Sequence, residues 1–165
     1  MIRGNRATFT VRSPTRTVSA ISSMLGIEPT NSGDIGELTP AGRSGRDVAP
    51  QSRRYAEKYW SLSTVEHSPG ASEETGFSAL RALLAVLRPH SQQVSELRED
   101  GETRIWWSGD SDSEQGGFVL QIDMIESLAE LGCDVYGTAY LDDGEGADVG
   151  RGHPPVAPTR APPVQ

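Results

Sequence analysis

The segment LGIEPT at residues 25–30 decides how the first part of the chain folds. Gly26 can adopt the left-handed backbone conformation that commonly ends a helix. Ile27 can then fold back on the last helical turn, and Pro29 stops the helix because its ring removes a backbone donor. The segment therefore predicts the end of one helix and an abrupt change in chain direction.

Upstream of this segment, the sequence predicts the helix itself. Val18, Ile21 and Leu25 recur at helical spacing, so they would share one apolar face. Ser13 is a favourable N-cap, and Pro14 loses nothing at the first helical position because the amide there has no partner. We therefore expect the helix to begin at Ser13.

A strand is expected on each side of that helix. Residues 7–12 alternate between apolar and polar side chains, and residues 59–64 are rich in aromatic and β-branched ones. Between helix and second strand, residues 31–54 contain many glycines and prolines, which indicates a long loop that is either functional or disordered. Its arginines are candidate anion-binding groups: Arg43, Arg46, Arg53 and Arg54.

The second half contains the clearest helix of the chain. Leucines at helical spacing between Phe77 and Leu87 predict it, Pro89 ends or bends it, and residues 91–98 predict a short further helix. The elements expected after these are strands at 103–108 and 117–122, joined by an acidic turn at 109–116, then a helix at 124–131 and a strand at 135–141.

Local signals mark both ends of that last helix. Asp123 and Glu126 have the spacing of a capping-box variant, and Gly132 is well placed to close the helix. The predicted order β-α-β-α-α-β-β-α-β indicates an α+β fold, with a mixed or mainly antiparallel sheet covered by helices. We place this single domain at residues 6–142. Residues 143–165 are rich in proline and glycine, which predicts a disordered tail.

Four stretches resemble a bacterial family known as domain of unknown function 4279. They are the LGIEPT segment, the WSLS strand at 60–63, the leucine-rich helix with Pro89 after it, and residues 131–136. The resemblance runs over about residues 7–140 as an order of elements. It implies a small, soluble α+β bacterial domain and assigns no chemistry.

Charge is distributed unevenly along the chain, whose net charge is −8. Residues 91–148 hold 15 of the 23 acidic groups and 2 of the 15 basic groups. Such a surface repels phosphate backbones, which argues against nucleic acid as a partner and favours a basic protein. No apolar run approaches the roughly 20 residues of a membrane span, and the single cysteine favours the cytosol.

The residue types that carry chemistry do not cluster in the sequence. His67, His90, His153 and Cys133 fall on different elements, so no metal site or cofactor is expected. Cys133 follows a helix-closing glycine, which is typical of a small buried residue rather than a nucleophile. Acidic residues at 110–114 resemble half of a calcium loop, but the required glycine and glutamate do not follow. No catalytic residue is assigned.

Trp106 and Trp107 are the most unusual local pair. Neighbours in a strand point to opposite faces, so one should be buried and the other should point outward. We expect both to be covered by other parts of the structure. The alternative is that the outward tryptophan serves as an anchor for a partner.

Three hypotheses about function follow from the sequence. The first is a non-enzymatic protein that binds a basic protein partner, for example an immunity-type protein that masks a basic toxin. The second is a small-molecule or anion binder, or a weak enzyme, whose pocket is lined by the arginines of residues 31–54 together with Tyr55, Tyr59 and Trp60. The third is an accessory domain whose partner is a second copy of itself.

Overall fold

The computed structural model describes residues 2–45, 47–67, 76–112 and 118–141. Its centre is a five-stranded sheet in the order β2-β3-β1-β4-β5, in which only β4 and β5 run parallel. The strands are β1 (Ile2–Ser13), β2 (Asn31–Gly33), β3 (Lys58–His67), β4 (Glu102–Ser111) and β5 (Asp134–Leu141). The predicted class, α+β with a mixed sheet and helices, is confirmed.

The helices are α1 (Val18–Leu25), α2 (Pro40–Arg43), α3 (Ser78–Leu87), α4 (Ser91–Asp100) and α5 (Ile122–Leu131). Short 3-10 turns occupy Pro50–Ser52 and Arg88–His90. The second of these contains Pro89 and joins α3 to α4, so the proline bends the chain between two helices, as predicted. Within the described ranges, no helix is long and apolar enough to cross a membrane.

The end of α1 confirms the interpretation of the LGIEPT segment. Gly26 has φ 64° and lies in the left-handed region, and the amide of Ile27 donates to the carbonyl of Ser22 at 3.3 Å. The predicted start of the helix is wrong. Thr17 is the N-cap, with its hydroxyl accepting from the Ala20 amide at 3.2 Å, whereas Ser13 still belongs to β1.

The strand expected at 117–122 is absent from its described residues, 118–122. Residues 118–120 have no regular structure, Gln121 is the N-cap of α5, and Ile122 lies in its first turn. A short apolar run fits the first turn of a helix as well as a strand, and here Phe118 packs edge-on against Phe77, with ring centroids 5.2 Å apart. Because Gln121 is the N-cap of α5, the helix does not start at the capping box predicted from Asp123. Gly132, with φ 62°, closes the helix as expected.

Residues 31–54 are more ordered than the loop that the sequence suggests. They contain β2, which pairs with β3, and the helix α2, which Thr39 caps by accepting from the Gly42 amide at 3.0 Å. An isolated antiparallel bridge joins Leu38 to Arg54 and returns the chain toward β3. The weak strand signal of Asn31–Gly33 explains why this edge strand was not predicted. The expected tail at 143–165 lies outside the described residues, and β1 begins at Ile2, before the predicted domain boundary.

One face of the sheet holds the core. Phe9 of β1, Trp60 of β3 and Ile105 of β4 are fully buried there against the helices. The indole nitrogen of Trp60 donates to the hydroxyl of Ser22 in α1 at 3.0 Å, which satisfies its one buried donor. Burial of these large side chains fixes which residues of each strand point away from the helices.

Candidate functional site

The face of the sheet that points away from the helices is the candidate site, and we call it the outer face. It consists of every second residue from Arg6 to Arg12 in β1, Tyr59 to Val65 in β3, Glu102 to Asp110 in β4, and Asp134 to Tyr140 in β5. Burial alternates strictly along β4, because its other residues face the core. The helices α1, α3 and α4 pack against the opposite, core face, whereas Tyr55 of the segment before β3 covers the β2–β3 side of the outer face.

An aromatic pair lies at the β4–β5 side of the outer face. The rings of Trp106 and Tyr136 stack with centroids 4.7 Å apart and planes inclined by 29°. The guanidinium of Arg104 lies 4.9 Å from the Tyr136 ring centroid and forms an ion pair with Glu102. Tyr136 keeps 38% of its surface exposed. The expectation that both tryptophans are covered is therefore met only in part, since Trp106 is half-buried beside an exposed ring.

Trp107 points the other way and is buried, with 4% of its surface exposed. Its ring packs against Phe77, with centroids 4.6 Å apart. Among the described residues its indole nitrogen has no hydrogen-bond partner. Trp107 is therefore a core residue, and Trp106 is the tryptophan of the pair that can meet a ligand.

A second aromatic pair lies at the β2–β3 side of the outer face. Tyr55 and Tyr59 stack with ring centroids 5.1 Å apart and planes inclined by 20°. The Tyr55 hydroxyl accepts from the side-chain amide of Asn31 at 3.2 Å. The Tyr55 ring also occupies the space beside Gly33, where any Cβ atom would overlap it.

Both phenols of this second pair titrate above their usual range. Burial raises the pKa of Tyr55, while the hydrogen bond from Asn31 and the charge of Arg43 act in the opposite direction. Burial likewise raises the pKa of Tyr59, and Arg12 offsets part of that effect. The two rings are consequently neutral at physiological pH, and two guanidinium groups lie within electrostatic range.

Hydroxyl groups fill the strip between the two aromatic pairs. Thr8 and Ser63 share a hydrogen bond of 2.9 Å across β1 and β3, and the Thr10 hydroxyl donates to the Arg104 carbonyl at 3.3 Å. The Ser61 hydroxyl donates to the Asn31 carbonyl at 3.1 Å. These groups satisfy one another, so the aromatic rings and the charged side chains are what the outer face offers to a partner.

The arginines of residues 31–54 do not converge on one site. Arg43 is exposed near Tyr55, but Arg53 donates to the Val48 carbonyl at 3.3 Å and Arg54 donates to the Gly36 carbonyl. The last two therefore hold their own segment together. Arg46 lies outside the described residues. Of the remaining predicted residues, Tyr59 and Trp106 lie on the outer face, whereas Trp60 and Trp107 face the helices.

Three acidic groups among residues 91–148 are paired with arginines from the first 90 residues. Ion pairs join Asp100 to Arg16 at 2.8 Å, Asp123 to Arg81 at 2.6 Å, and Glu130 to Arg88 at 3.1 Å. A hydrogen bond from Arg81 lowers the pKa of Asp123. Residues 91–148 therefore offer a partner fewer carboxylates than their composition suggests.

The described part of the chain contains no group of three or more His, Cys, Asp or Glu residues that could hold a metal ion. Cys133 is half-buried against the core, and its thiol lies 3.4 Å from the Thr103 hydroxyl. Burial raises the pKa of this thiol, which keeps it protonated and a poor nucleophile at neutral pH.

Sequence reasoning missed three residues of the outer face, namely Arg12, Arg104 and Tyr136. A usable signal existed for the last two. Both segments were predicted as strands, and strand parity puts Arg104 on the same face as Trp106, and Asp134 on the same face as Tyr136. The partners in register are Arg104 with Asp134 and Trp106 with Tyr136. Only the pairing of β4 with β5, which no local pattern specifies, brings these groups together.

Comparisons with known proteins agree with the resemblance seen in the sequence. A comparison with curated proteins found no match, and a comparison with solved structures found none either. The family model described as Domain of unknown function (DUF4279) matches residues 3–141, which includes every described helix and nearly all of the sheet. The chain therefore belongs to the DUF4279 family.

Proposed function

We propose that the protein is a non-enzymatic domain that binds another protein through the outer face of its sheet. The observation that carries this proposal is the Trp106–Tyr136 stack, which lies on the face of the sheet opposite to α1, α3 and α4. Tryptophan, tyrosine and arginine are the residue types most enriched among the energetically dominant residues of protein interfaces. Arg104 completes such a set beside the stack.

Charge supports a basic partner. The chain has a net charge of −8, and on the β4–β5 side of the outer face three carboxylates accompany one arginine. They are Glu102, Asp110 and Asp134, beside Arg104. Carboxylates at the rim of an aromatic contact favour basic groups on the other protein and speed their encounter. An immunity-type protein that masks a basic toxin in the bacterial cytoplasm is one form of this function.

The test compares three tagged proteins as baits for the same host extract: the wild type, Trp106→Ala, and Val86→Ala. Val86 is exposed on α3, on the other side of the sheet, so its variant is the matched control. Mass spectrometry identifies what each bait retains. We expect one basic protein to bind the wild type and the control at equal stoichiometry and to be lost from Trp106→Ala.

Calorimetry with the purified partner then gives the size of the effect. Loss of a central aromatic anchor weakens binding by about 2 kcal/mol, or roughly thirtyfold. Thermal melting of the variant checks that it is folded. A partner retained equally by all three baits places the interface elsewhere, and an extract that yields no stoichiometric partner contradicts the proposal.

A second candidate function, anion or small-molecule binding, rests on the Tyr55–Tyr59 pair. Two arginines, Arg12 and Arg43, act on these phenols electrostatically, and Asn31 offers an amide beside them. Thermal shift with phosphate and with sulfate tests it, using sodium chloride of equal ionic strength as the control. A stabilisation that Arg43→Ala abolishes supports this function, and equal melting temperatures in all salts oppose it.

A further inference from the structure

The strand β5 forms an open edge of the sheet. It is eight residues long, and every one of its residues is exposed. Its sequence DVYGTAYL contains no lysine and no proline, and its only charge is at Asp134. Proteins usually protect such an edge with charge, proline, a bulge or a covering element, because its unpaired backbone groups can pair with another strand.

An apolar stripe on α5 continues this edge on the core side. Ile122, Ile125 and Ala129 are spaced on one side of the helix, and the two isoleucines are 75% and 48% exposed. Asp123 of the same helix makes an ion pair with Arg81 of α3, and Glu130 makes one with Arg88, the residue that follows α3. The stripe is on the side of α5 that points away from α3, toward the edge where β5 lies.

We propose that β5 and this stripe form the interface of a two-fold symmetric dimer, in which the β5 strands of two copies pair antiparallel. The chain's own residues after Leu141 are a poor alternative occupant. Their sequence opens with Asp142, Asp143 and Gly144 and continues into prolines, which lack the amide that a strand ladder needs. A basic partner is also poorly served by a surface whose centre is apolar and uncharged.

One register makes β5 complementary to itself. A two-fold axis perpendicular to the sheet keeps each side chain on its own face, so only residues of equal parity can oppose one another. With the axis at Thr138, each side chain faces one of the same kind on the other copy. Small residues face small residues, aromatic residues face aromatic residues, and branched apolar residues face branched apolar residues. The facing pairs are then Gly137 with Ala139, Tyr136 with Tyr140, and Val135 with Leu141.

Pairing of one strand is not sufficient for a stable interface. Two strands alone are marginal in water, and a stable contact takes about 800 Å² from each partner. The stripe supplies the remaining apolar surface, because the same axis brings the α5 helices of the two copies to the same side of a continuous ten-stranded sheet. Ile122 and Ile125 of one copy would then pack against those of the other.

The first test measures mass against concentration by sedimentation for the full chain and for two variants. In the double variant Ile122→Glu, Ile125→Glu, charge replaces the stripe at residues that are exposed in the monomer. The control Val86→Glu makes the same change on α3, where the residue is 41% exposed. We expect a reversible dimer whose dissociation constant rises about tenfold or more in the double variant and not in the control.

The second test checks the register through disulfide formation. In a Cys133→Ala background, Thr138→Cys places two thiols across the axis, with Cβ atoms about 5 Å apart, close to what a disulfide spans. Val65→Cys, exposed on β3, is the control. Mild oxidation should join two copies of the Thr138→Cys protein and leave the control monomeric on a denaturing gel.

Each outcome decides the proposal. A mass that stays monomeric at every concentration overturns it, whatever else occupies β5. A dimer that is indifferent to the α5 variant and gives no crosslink at Thr138 places the interface elsewhere and also overturns it. Concentration-dependent dimers with both expected responses support it.

Discussion

The two edges of the sheet are built in opposite ways. The β2 edge is three residues long, and the following segment folds back over it, so that the Tyr55 ring covers Gly33. The β5 edge is eight exposed residues beside an exposed apolar stripe. An edge that the chain itself covers leaves few backbone groups unpaired, whereas a long uncovered edge leaves a row of them that can pair with another strand. The β2 edge is therefore closed within one chain, whereas the β5 edge is the one that we propose pairs with a second copy.

The sharpest way to break this comparison is to add the same methyl group at each edge. In Gly33→Ala the new Cβ overlaps the Tyr55 ring, and the ring must leave its stack and its hydrogen bond with Asn31. We expect the free energy of unfolding to fall by about 2 kcal/mol, as in other overpacked sites.

The matched change at the other edge is Gly137→Ala. There the added Cβ lies 3.5 Å from the Trp107 ring, which is an ordinary contact. We expect a change within about 0.5 kcal/mol. Urea unfolding of both variants at the same protein concentration measures the difference, and equal losses at the two edges would contradict the comparison.

Removing the covering ring should expose the shielded edge. Tyr55→Ala deletes the stack on Tyr59 and the hydrogen bond from Asn31, and the free energy of unfolding should fall by about 1.5 kcal/mol. Hydrogen exchange of the β2 amides should then accelerate, while that of β5 stays as it is in the wild type. Unchanged exchange in β2 would mean that Tyr55 does not protect it.

A smaller effect should appear at alkaline pH on the β2 side. Burial raises the pKa of both Tyr55 and Tyr59 above the ordinary phenol value of about 10, so the unfolded chain loses these protons at lower pH than the folded one. Stability is therefore complete below about pH 9 and falls as the pH rises through 10. Urea unfolding across this range measures the decline, which should be shallower in Tyr55→Phe. A flat profile in the wild type would oppose the interpretation.

The smallest expected effect concerns salt at the β5 edge. Each copy carries a net charge of −8, so two copies repel each other as they approach. Raising the salt from about 0.05 M to about 0.5 M should strengthen the dimer slightly, because the ions screen this repulsion. Sedimentation at both salt concentrations measures it. Weaker dimers at high salt would point to attractive ion pairs and a different register.

The sequence allowed those parts of the fold to be predicted that depend on local chemistry. Gly26 and Gly132 close their helices because a left-handed residue at a helix end favours glycine wherever it occurs. The apolar spacing of α3 likewise needs no knowledge of its neighbours. Wrong expectations came where one pattern serves two structures, as at Ile122, which suits a strand and is the first residue of a helix.

The candidate site was less predictable because strand pairing creates it. The opposite orientations of Trp106 and Trp107 followed from strand geometry, but which one is buried depends on which face of the sheet the helices cover. The arginines of residues 31–54 looked available, yet Arg53 and Arg54 bind backbone carbonyls that only the folded segment brings near. Sequence spacing carries no information about such contacts.

The place of β1 in the middle of the sheet sets the order of events during synthesis. It is the first strand of the sheet to leave the ribosome. Its pairing with β4, for example Arg12 with Glu102, becomes possible only after β4 has been synthesised. A nascent chain would therefore hold its central strand unpaired on one side until the ribosome has translated most of the domain. Such distant pairings slow folding, and they make the growing chain a natural client for chaperones that shield unpaired strands.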